Sequence, residues 1–153
     1  MLKDVIGVDG VVNTTAHAQD WQDAIKQHTV GRGADLIFDF MGAASFQQNL
    51  ECAAVDGTIV TLGALGGVKL AEGTNVGNFI KKRLKYQGST LRTRDVAYQS
   101  VIRQMFERVV MPRVDSGEFD ARVQKVVGWD EIADAHTWLE QNRSSGKVVC
   151  LVS

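Results

Sequence analysis

The chain has 153 residues, 44% of them hydrophobic and 23% charged, with a formal net charge of -1. That is the composition of one ordinary globular unit with a real core, and it excludes disorder. No basic stripe suits a phosphate backbone and no apolar run reaches spanning length, so nucleic-acid and membrane partners are not expected.

The opening MLKDVIG lacks the pattern of a secretory leader. The two cysteines, Cys52 and Cys150, have no metal-ligand spacing. Both features point to a reducing cytoplasm.

The elements are predicted in chain order. Val8 to Asn13 is a short β-branched run, read as a strand, and Ala18 to Val30 is a helix with Trp21, Ala24, Ile25 and His28 at helical spacing. The turn GRGAD leads to Asp35–Gly42 (DLIFDFMG), the near-continuous apolar run expected of a parallel strand buried on both faces. Ala44 to Val55 reads as a helix ended by Asp56-Gly57, and Thr58 to Leu62 as a strand running into GALGG.

A short basic helix over Asn78–Arg83, a strand over Leu84–Thr90 and a helix over Asp95–Val110 follow. Asp95 is that helix's N-cap, and Val101, Met105 and Val109 share one face. After Pro112 the character changes. Ala121 to Trp129 alternates like a strand with one wet face, Asp130 caps a helix through Asn142, and Lys147 to Val152 is a terminal strand. Strands alternating with helices predict an α/β fold.

Two apolar strands end in glycine, at Gly42 and at Gly63, Gly66 and Gly67. Ligands of doubly wound sheets bind beyond the carboxyl ends of the strands, and glycine there lets backbone approach a flat ligand. Tight turns are the better account of any one of these glycines, but the set on successive strand ends points to a ligand cleft. No G-x-G-x-x-G loop and no G-x-x-x-x-G-K-[ST] element is present. His17, His28 and His136 stand singly, so no metal site is expected, and no G-x-S-x-G elbow supplies a nucleophile. Asp39, inside an apolar strand, must be hydrogen-bonded or perturbed, and is either structural or near the site. The run Lys81-Lys82-Arg83 reads as a solvated helix end, with phosphate binding as the alternative.

Four segments, in order, resemble zinc-independent quinone oxidoreductases of the medium-chain dehydrogenase/reductase superfamily, in the p53-inducible branch. They are GVDGVVN, GRGADLIFDFMGAASFQQNLECAAVDGTIVTLGALGG, KKRLKYQGSTLRTRD and ADAHTWLEQNRSSGKVVCLV. The resemblance implies a partial Rossmann doubly wound parallel sheet over residues 1–112. Residues 113–153 would be the return segment to a GroES-like catalytic domain.

It further implies NADPH as cofactor, contacted by Met41 and Gly42 near the ribose. Gly63, Ala64 and Leu65 would lie along the nicotinamide, the backbone of Thr90, Leu91 and Arg92 would hold its carboxamide side, and Ser144 would sit in a closing turn. The family's Asn-Tyr is here Asn13-Thr14, which bears on NADPH against NADH. A quinone or other small-molecule acceptor takes the hydride or electrons, and no side chain is assigned a catalytic role. An enoyl reductase of the same superfamily and a non-catalytic dimerisation or binding module are the alternatives.

The implied strand order 3-2-1-4-5-6 would leave VDGVVN without a neighbour and DLIFDFMG with a bare edge. Homo-oligomers are therefore expected, by segment exchange or through the LKYQGST edge strand. The isolated chain is expected to bind NADPH weakly or not at all and to be inactive.

Overall fold

The computed structural model describes residues 7–14, 21–141 and 144–152. Met1–Thr93 and Arg94–Ser153 form separate compact units, which places Pro112 inside the second. The predicted leader-free start, His17, and parts of two predicted helices (18–20 and Asn142) lie outside the described residues.

The first unit is built on three parallel strands. They are β1 (Ala34–Asp39), β2 (Ala53–Thr61) and β3 (Lys85–Gly88), hydrogen-bonded in the order β1-β2-β3. Helix α1 (Trp21–His28) packs on α2 (Phe46–Cys52), and α3 (Gly77–Lys81) precedes β3. Ile37, Ile59 and Tyr86 are aligned across the three strands. On that face Leu50 of α2 and Ile59 are fully buried, with Ala53 and Leu84 beside them and Ile37, Phe46 and Phe79 packed around. Burying a side chain such as Leu50 stabilises by about 2 kcal/mol, so this small cluster is what holds the unit.

Three expectations for this unit are corrected. Residues 8–13 are irregular rather than a strand, because among the described residues no strand is hydrogen-bonded to them. β1 is buried on one face only. Leu36 and Phe38 point to the other and are 52% and 60% exposed, since no described element covers that side. The helix predicted to Val55 stops at Cys52, and β2 starts at once. Between the partners Ala34↔Ala53 and Leu36↔Thr58 the ladder shifts register, and Asp56 takes φ 62° in the bulge.

The second unit contains α4 (Val96–Val109), α5 (Met111–Asp115), β4 (Val123–Gly128), α6 (Ile132–Glu140) and β5 (Lys147–Leu151), with β4 and β5 parallel. Asp95 caps α4 as expected, accepting from the Tyr98 amide at 2.7 Å. The start of α6 is corrected: Glu131, not Asp130, reaches back, accepting from the Gly128 amide at 3.0 Å across a 3₁₀ turn over Trp129–Glu131. Val127 and Ala135 are buried, while Val126, Trp129 and Leu151 are exposed. Both sheets are parallel and both units mix helix with strand, so the fold is α/β. Among the described residues no helix is long and apolar enough to cross a membrane.

Candidate functional site

Parallel strands put all their carboxyl ends on one edge of the sheet, and there the tips of β1 and β2 are laced together. The Leu62 amide donates to Asp39 O, Leu65 to Phe40 O, Gly66 to Met41 O and Ala43 to Gly67 O, at 2.7 to 3.0 Å. β3 leaves beside them, its Ser89 amide donating to Thr61 O at 2.9 Å. Met41, Gly42, Gly63, Ala64 and Leu65 are thus brought into one place, and Thr90, Leu91 and Arg92 follow the adjacent strand end. Ser144 lies in the second unit, where its hydroxyl donates to Gly146 O at 2.6 Å.

The glycines are needed for this lacing. A Cβ on Gly42 would fall 2.9 Å from Gly67 O, and its φ is +71°. A Cβ on Gly66 would fall 2.5 Å from the Ala44 Cβ. Close approach of tip to tip is one role these glycines fill.

Asp39 is the centre of the arrangement. It is 5% exposed, and its carboxylate accepts from the amides of Met41 (2.9 Å) and Gly42 (3.1 Å) and from the hydroxyls of Ser45 (2.8 Å) and Thr61 (3.4 Å). Thr61 is also 2.7 Å from the Tyr86 hydroxyl, whose ring lies 5.4 Å from that of Phe46. Sequence reasoning singled out Asp39 but missed Ser45, Thr61 and Tyr86. The available signal was the pairing of Asp39 with Thr61, which follows once the two strands are set parallel.

What can these tips hold? The amides of Met41, Gly42, Ala43, Leu65, Gly66 and Gly67 are already engaged. A diphosphate needs such donors, whereas a flat heterocycle needs apolar surface. The tips offer the second: Met41, Leu65 and Leu91 are 45%, 84% and 55% exposed. Such a surface suits a flat apolar ring better than a diphosphate.

The opposite end of the sheet holds a cavity of about 440 Å³ with three cations on its wall. Each cation is engaged. Lys26 pairs with Asp23 at 3.2 Å and Arg32 with Asp35. Lys82 donates to the carbonyls of Leu50, Glu51 and Ala53 at 3.0, 2.8 and 2.8 Å. Arg83 pairs with Asp56 at 2.6 Å, which holds that carboxylate below its usual range. The basic run is a solvated helix end at Lys81 and Arg83, which are exposed, and only the half-buried Lys82 departs from that reading by capping α2 and the start of β2. Desolvation lowers the Lys82 ammonium from its ordinary value, and burial raises the Cys52 thiol.

Comparison with known proteins gives consistent relatives. A family profile described as zinc-binding dehydrogenase matches residues 6–150. The 2-haloacrylate reductase of a Burkholderia species is 26% identical over 137 residues, covering 87% of this chain and 39% of that protein. Among solved structures, a putative alcohol dehydrogenase from Sinorhizobium meliloti 1021 aligns with a TM-score of 0.72 at 26% identity, covering 96% of this chain and 39% of that one. An NAD-dependent alcohol dehydrogenase aligns at 0.71 and 26%, covering 97% and 39%. The chain spans about two-fifths of the length of each of these relatives.

Proposed function

The chain belongs to the zinc-binding dehydrogenase family, and from that premise we propose that it is the cofactor-holding part of an NADPH-dependent oxidoreductase that reduces a quinone. The observation that carries this reading is the edge where three parallel strands end, with laced tips that turn Met41, Leu65 and Leu91 outward. When bound, the nicotinamide supplies a hydride for the acceptor. Met41, Gly42 and the segment Gly63–Leu65 would shelter one side of its ring. The backbone of Thr90, Leu91 and Arg92 would orient the carboxamide, and Ser144 would belong to a closing turn. Protein groups here would position the cofactor and exclude water rather than exchange protons.

In this proposal residues 1–112 are the Rossmann part and 113–153 the return to a GroES-like domain, working in the cytoplasm. Copies associate through the β3 edge or by exchanging segments. A second reading, reduction of an activated carbon–carbon double bond as by an enoyl reductase, draws on the likeness to the 2-haloacrylate reductase.

Titrating the isotope-labelled chain with millimolar NADPH tests the site. Amide signals of Met41, Gly42, Gly63–Leu65 and Thr90–Arg92 should move together, and shifts confined to other residues would refute it. NADPH oxidation followed with phenanthrenequinone and with a 2-enoyl thioester tests whether the chain turns over either acceptor. Without a G-x-G-x-x-G loop the isolated chain should turn over neither, and rapid turnover of the thioester alone would favour the second reading.

A further inference from the structure

We infer that Asp39 is the positioning residue of the strand-tip site, and that Tyr86 and Thr61 extend its hold to the third strand. The inference rests on the reading of the tips as the nicotinamide site and deepens it. A carboxylate buried in an apolar strand is tolerated only when donors surround it. Here two of the donors are the backbone amides of Met41 and Gly42, the residues assigned to the cofactor. A third, Ser45, begins the chain's turn into α2. The carboxylate therefore sets the direction in which the backbone leaves β1.

The fourth donor couples strands. Ionised Asp39 can only accept, and a threonine hydroxyl has one proton to give. The arrangement that uses every proton has Tyr86 donating to Thr61 and Thr61 to Asp39, across 2.7 and 3.4 Å. One residue from each strand takes part, in the order β3, β2, β1. A change at Tyr86 should therefore be felt at Met41 and Gly42, which lie two strands away.

Asp39→Asn is the direct test because it preserves shape and removes one acceptor oxygen. One of the two amides, Met41 or Gly42, then faces an NH₂ group instead of an oxygen. In the free chain, hydrogen exchange at that amide should accelerate about tenfold and its proton resonance should move upfield. With NADPH, the affinity read from the tip resonances should fall about tenfold, while circular dichroism stays that of the folded chain.

Tyr86→Phe, at an exposed position, is the second variant and serves if Asp39→Asn fails to fold. It should shift the Met41 and Gly42 resonances and weaken NADPH about twofold. Unchanged exchange at both amides in Asp39→Asn, or unmoved tip resonances in Tyr86→Phe, would overturn the inference. A wild-type chain whose tips ignore NADPH would instead refute the cofactor reading, and the exchange experiment would still decide whether Asp39 holds the tips.

Discussion

The two ends of the β1-β2-β3 sheet are held by single buried or half-buried ions of opposite sign. At the carboxyl end Asp39 collects amides and hydroxyls. At the amino end Lys82 collects the last carbonyls of α2 and the first of β2. The polarity follows from the chain. Residues leaving a strand toward a helix present free N–H groups, and a helix that has just ended presents free C=O groups. The difference lies in what remains outside. Asp39 leaves apolar side chains exposed above it, whereas the cations around the Lys82 cavity are all engaged with protein groups. The first end leaves apolar surface open, the face on which the proposed cofactor site depends, and the second closes a joint.

The largest effect should come from breaking the first end. Asp39→Ala strands two amides, and chemical denaturation should show a loss of about 3 kcal/mol. Lys82→Met breaks the second end by leaving three carbonyls to water, at about 2 kcal/mol, with faster exchange confined to the last turn of α2. A loss at Lys82 larger than that at Asp39 would reverse the ranking of the two ends.

Gly66→Ala sharpens the picture of the tips. The added methyl meets Ala44 and should cost about 1.5 kcal/mol, of which Ala44→Gly should restore part in the double variant.

The smallest effect is in alkaline solution and gives a sign rather than a size. Burial keeps the Cys52 thiol protonated in the folded chain above its ordinary 9.0, so stability falls as pH rises through that value and the unfolded thiol ionises. Desolvation makes folded Lys82 release its proton below the ordinary 10.5, so its own contribution rises with pH in the window beneath that value. Denaturation midpoints of Cys52→Ala should therefore lose the falling component, and those of Lys82→Met the rising one.

Much of this frame could be read from the residues. The glycine-ended apolar runs located β1 and the second half of β2, the run Leu84–Thr90 contained β3, and Asp95 located the start of α4. What escaped depends on partners far along the chain. Val8 to Asn13 has strand composition but pairs with no strand among the described residues, and a strand exists only through its neighbours. The end of α2 at Cys52 is set by a lysine 30 residues later, at position 82. Asp39 was visibly unusual, yet its role depends on Thr61 and Tyr86, which only the strand register brings to it. Leu36 and Phe38 read as interior because their neighbours are apolar, but burial needs a second layer on that side.

That last feature has a practical outcome. Leu36 and Phe38 on β1, with Phe40 just past its end, expose greasy side chains along an outer strand of the described sheet. Sticky rows of this kind make a polypeptide hard to keep in concentrated stock, favour clumping during refolding and attract chaperones in the cell. Light scattering should therefore rise with protein concentration and fall when Phe38 is replaced by threonine.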